Sequence, residues 1–184
     1  MTEELRQNII DFRLGKLSKN ELTTRLPFDV EKKHENLKIL IDGIIESKDS
    51  EDVELGLTLI RLLEVNKEFT DLIHKIIVQP WHSRYEELIH DIQKRKENKS
   101  VPIIKEVIQY KFDFLESYET GTGQFISQCG YALFSIGTDD AINTITELSN
   151  SDNEMIKREM NYQLKRLAKN PDSADTCKTP RWWT

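Results

Sequence analysis

The chain has 184 residues, with 26 Lys and Arg against 32 Asp and Glu, a net charge of -6, and 38% hydrophobic residues. That length suits one domain, and the acidic balance argues against nucleic acid as a partner while favouring basic proteins. No stretch approaches the roughly eighteen consecutive apolar residues of a membrane span, and Met1–Leu17 has no apolar core flanked by basic residues, so neither membrane insertion nor a signal peptide is expected. Two cysteines, Cys129 and Cys177, make no disulfide framework, and a cytoplasmic protein with free thiols is expected.

Apolar residues recur at helical spacing along almost the whole chain. The first signal is "SKNE", Ser18–Glu21, a capping box in which serine accepts from an early backbone N–H and glutamate reaches back. Leu37, Leu40, Ile41, Ile44 and Ile45 follow the i, i+3, i+4, i+7 stripe, and Phe69, Leu72, Ile73, Ile76 and Ile77 follow it again. Tyr85, Leu88, Ile89 and Ile92 form the next stripe. Ser100 precedes Val101 and Pro102, a helix start where proline is harmless because first-turn N–H groups lack helical partners.

Val101, Ile104, Ile108 and Leu115 continue the series, then Ile126, Cys129, Leu133 and Ile136. Gly137 ends that helix and Thr138 starts another. "SDNE", Ser151–Glu154, reads as a second capping box, followed by the stripe Ile156, Met160, Leu164, Leu167. No alternating strand pattern competes, so the chain reads as all-α with about ten short helices.

The helices repeat. "SVPIIKEV" from Ser100 superposes on "AINTITEL" from Ala141, an offset of 41 residues that pairs Ile104 with Ile145. A looser copy is "LKILIDGIIES" followed by "SEDVELGLTLIRLLEV". Helix pairs with a period of about forty residues are those of HEAT and armadillo arrays. The expected architecture is a short right-handed α-solenoid: one domain over residues 1–170, with capping helices in 1–28 and a flexible polar tail over 171–184 that ends in Arg181-Trp182-Trp183-Thr184.

The run "ALFSIGTDDAINTITELSNSDNEMIKREMNYQLKRL" resembles a HEAT repeat. From Trp81 to Leu167 the chain is similar to small bacterial HEAT-like proteins, through Trp81-His82, Tyr118-Glu119, Cys129 and Ile136-Gly137-Thr138. Some such proteins resemble immunity proteins encoded beside antibacterial toxins. The resemblance therefore implies a non-enzymatic, protein-binding role: neutralising a toxin, or alternatively serving as a general scaffold.

Chemical candidates concentrate in "PWHSRYEELIHD", Pro80–Asp91. His82, Glu86 and His90 share one helix face at spacings of four, but the zincin order His-Glu-x-x-His is absent and no metal or cofactor is expected. Gly121 and Gly123 lack the further glycines and the lysine of a phosphate loop. Cys129 lies in an apolar stripe and reads as a buried small hydrophobe. The cations Lys157, Arg158, Lys165, Arg166 and Lys169 read as a solvated capping face. If successive helix starts align along one edge, Trp81, His82, Tyr85, Glu86 and Glu87 come near Tyr118 and Glu119. Aromatics beside carboxylates suit a basic partner, such as a basic toxin domain.

Overall fold

The structure is a computed structural model that describes residues 1–63, 69–117 and 121–169. Eleven α-helices and no strand occur among the described residues, which makes the fold all-α. The chain divides into two compact units, Met1–Arg84 and Tyr85–Thr184.

The first unit contains α1 (Glu3–Arg13), α2 (Lys19–Thr24), α3 (Lys33–Ser47), α4 (Ser50–Leu62) and α5 (Thr70–Ile77). The capping box at Ser18 and Glu21 forms as the sequence predicts. Helix α4 packs against α1 and α3, and α5 packs against α3. Its Val53, Leu57, Leu59 and Ile60 are buried, as are Leu37, Ile41 and Ile44 of α3. Gly56 is what lets these two helices close up: a Cβ there would lie 2.9 Å from Ile44 Cδ1. Helix α1 is pinned by charge, with Arg6 Nη2 donating to Asp49 Oδ2 at 2.9 Å. Asp49 also caps α4, accepting from the backbone N–H of Glu51 and Asp52.

The second unit contains α6 (Tyr85–Arg95), α7 (Val101–Val107), α8 (Asp113–Glu116), α9 (Gly121–Ile136), α10 (Asp139–Leu148) and α11 (Glu154–Lys169). Helix α9 is the centre, packed on by α6, α7, α8, α10 and α11. A helix surrounded in this way must be apolar on most sides. Phe125, Ile126, Cys129, Ala132, Leu133, Phe134 and Ile136 of α9 are indeed all buried. Tyr85 of α6 stacks on Phe112 with ring centroids 4.0 Å apart, and Phe125 closes the cluster edge-on at 6.0 Å from Tyr85.

Gly137, at φ 65°, ends α9 in the left-handed conformation, and Thr138 caps α10 by accepting from Ala141 N–H. The start of α11 differs from expectation. Asn153 Oδ1, not Ser151, accepts from the N–H of Met155 and Ile156, while Ser151 Oγ accepts from Asn153 N–H. Asparagine is at least as good a cap as serine, and it stands directly before the first helical residue. The buried stripe of α11 is also rotated. Ile156 and Met160 are buried, but Gln163 takes the next inward position and Leu164 is only half-buried.

Candidate functional site

Helix α6 begins at Tyr85, three residues after the His82 entrance that the sequence suggests. The cause is local. His82 Nδ1 accepts from the backbone N–H of Arg84 at 3.0 Å, and its Nε2–H donates to the carbonyl of Ile76 at 2.9 Å. The imidazole thereby clips the chain back to the end of α5. It is 2% exposed, and that burial pushes its pKa down to about 4, so the ring is neutral. Both ring nitrogens are engaged with backbone, so neither is presented as a metal ligand.

Trp81 is half-buried beside this clip, its ring perpendicular to that of His82 at 6.0 Å. Arg84 pairs with Glu54 of α4. Tyr85 is 0% exposed, and its hydroxyl is held far above the ordinary phenol range, by burial first and by the charge of Asp113 second. Of the seven positions expected at a partner surface, His82 and Tyr85 are thus packed inside the chain. A ring with no exposed area offers nothing to a partner. Glu86 and Glu87 are half-buried in the first turn of α6, where carboxylates also complement the helix dipole. Tyr118 and Glu119 lie outside the described residues, as do Trp182, Trp183 and Cys177.

Cys129 is fully enclosed, and its thiol is pushed well above the ordinary range by burial, then by the charge of Glu159. A protonated, inaccessible thiol is a poor nucleophile. Among the described residues, no group of three His, Cys, Asp or Glu side chains is arranged to hold a metal ion.

Two features were not anticipated from the sequence. The first is an apolar groove of about 370 Å³ in the first unit, lined by Leu5, Pro27, Phe28, Ile39, Leu40 and Gly43 among others. Ile39 is 71% exposed there. It falls off the buried stripe of α3, which is the signal that could have marked it: an isoleucine on the face that periodicity assigns to water. The second is the Gln128 side chain on α9, 5% exposed, with neither its amide nitrogen nor its oxygen hydrogen-bonded.

The second unit carries a further regularity. Gln93 of α6 donates to Ser135 of α9 at 3.1 Å, Asn98 to Asp140 at 2.7 Å, and Lys105 of α7 to Glu147 of α10 at 2.7 Å, each pair 42 residues apart in sequence. That interval is within one residue of the 41-residue offset at which the sequences superpose. Within the second unit α6 packs on α9, α9 on α11, and α7 on α10. No protein-family model, curated protein or solved structure matches the chain.

Proposed function

We propose that the chain is a protein-binding stack of HEAT-like helix pairs with no catalytic chemistry of its own. In its most specific form it is an immunity protein that binds and neutralises a cognate antibacterial toxin in the bacterial cytoplasm. The observation that supports this reading is the row of cross-links at one sequence interval, Gln93–Ser135, Asn98–Asp140 and Lys105–Glu147. Units stacked at a constant interval present equivalent side chains in rows, and rows make extended protein-binding surfaces.

Within this reading the partner is a basic toxin domain. Glu86 and Glu87 of α6 steer it, and Trp81, Tyr118 and Glu119 are further contacts of this proposal. His82 instead holds the turn after α5, and Tyr85 fills the core of the second unit. A general scaffold is the second reading, since stacked helix pairs suit any partner of matching charge.

The test is survival. A bacterium expressing the cognate toxin domain, sought first among the products of neighbouring genes, should die without this chain and grow with it. Equal killing with and without the chain, at confirmed expression of both proteins, contradicts the immunity role. Capture of a non-toxic partner in its place would favour the scaffold.

A further inference from the structure

Helix α11 carries a second stripe besides the one it buries. Met155, Arg158, Tyr162, Lys165 and Lys169 recur at i, i+3, i+7, i+10 and i+14, the spacing of a single helix face, and Arg166 flanks them. Met155 is 39% and Tyr162 48% exposed, and Arg158, Lys165 and Lys169 are exposed as well. The stripe holds cations and apolar area with no carboxylate among them, in a chain whose net charge is -6.

The nearest acidic side chains are engaged elsewhere. Glu159 accepts from Ser127 Oγ at 2.9 Å and from Gln163 Nε2 at 2.6 Å, which holds it against α9. Glu154 pairs with Lys157 at 3.6 Å. Arg166 is ordered in advance. Its guanidinium carbon lies 4.0 Å from the Phe134 ring centroid, 4.7 Å from that of Tyr131 and 5.8 Å from that of Tyr162, and its Nη1 donates to Gln163 Oε1 at 2.8 Å. Tyrosine and arginine side chains fixed before binding are the composition of interface hot spots, because little side-chain entropy remains to be lost.

We propose that this face of α11 docks an acidic segment of a partner protein, with Arg158, Lys165, Arg166 and Lys169 meeting its carboxylates and Met155 and Tyr162 its apolar side chains. This surface is independent of the one that the immunity reading uses. The helix dipole alone accounts for cations in the last turn. It does not account for Arg158 near the other end of α11, nor for the exposed tyrosine between the cations. Nucleic acid is the poorer occupant: a single stripe on an acidic protein is a small footprint for a polyanion whose binding scales with the number of phosphates neutralised.

The experiment is fluorescence anisotropy on the full chain with a labelled peptide of alternating glutamate and tryptophan. The controls are its lysine counterpart and oligothymidylate. The glutamate peptide should bind, and should weaken at least about tenfold when salt rises from about 0.05 M to about 0.3 M. Arg158→Glu with Lys165→Glu should weaken it about tenfold or more without moving the melting temperature, since both side chains are exposed. Tyr162→Ala should weaken it about threefold or more. The proposal is overturned if the glutamate peptide does not bind, if the lysine peptide binds equally well, if the charge reversal changes nothing, or if oligothymidylate displaces the peptide.

Discussion

Lys105 Nζ lies 2.7 Å from Glu147 Oε2, joining α7 to α10 across 42 residues of sequence. Both side chains are more than a third exposed, so the pair contributes little to stability. A double-mutant cycle with Lys105→Ala and Glu147→Ala should return a coupling of about 0.2–1 kcal/mol that shrinks as salt is added. A coupling of several kcal/mol would mean that the pair is held far more rigidly than its exposure implies.

The His82 clip gives a pH dependence of definite sign. The folded pKa, about 4, lies below the ordinary value of 6.5, so between these values the unfolded chain takes up a proton that the folded chain refuses. The stability this clip contributes is therefore complete above about pH 6.5 and is lost as pH falls towards 4, by up to about 3 kcal/mol. Urea unfolding at pH 7 and at pH 4.5 should reveal it. His82→Asn should lower stability at pH 7 and flatten the slope between the two pH values. An unchanged slope in the variant would remove His82 as its source.

Burial ranks the packing variants. Tyr85→Ala, which empties the space against Phe112 and Phe125, should cost about 3–5 kcal/mol, and Met160→Ala about 2–5 kcal/mol. Leu164→Ala should cost less than either, because that side chain is half-buried. Chemical denaturation of the three variants checks the order. A Leu164→Ala cost equal to that of Met160→Ala would mean that the two positions share one buried stripe.

Gln128 supports a prediction of the opposite sign. Its amide is buried without a partner, and removing an unsatisfied polar group while keeping the volume recovers the desolvation cost. Gln128→Met should raise stability by about 1–2 kcal/mol. A loss of stability instead would show that the amide is satisfied in solution by a group such as a buried water.

Periodicity and caps made much of the second unit legible in the sequence. Thr138 and Gly137 mark the junction of α9 and α10 by purely local chemistry, and the 41-residue sequence offset comes within one residue of the interval at which Gln93, Asn98 and Lys105 meet their partners. What stayed hidden depends on contacts with distant groups. Nothing local says that His82 reaches the Ile76 carbonyl, so the start of α6 falls three residues late. Asn153 displaces Ser151 as the cap because two capping residues two positions apart compete, and geometry decides between them. Tyr85 falls in the periodic stripe of α6 and also among the expected partner contacts, because aromatic residues serve cores and interfaces alike, and its packing on Phe112 and Phe125 decides for the core.

Titration calorimetry of the purified chain against the cognate toxin domain that the proposed function requires tests that proposal most directly. The account predicts a stoichiometric complex that Glu86→Lys with Glu119→Lys weakens about tenfold or more, most strongly at low salt, while the melting temperature of the free chain stays nearly constant. Absence of binding, or binding by the charge-reversed variant equal to that of the parent, would contradict it.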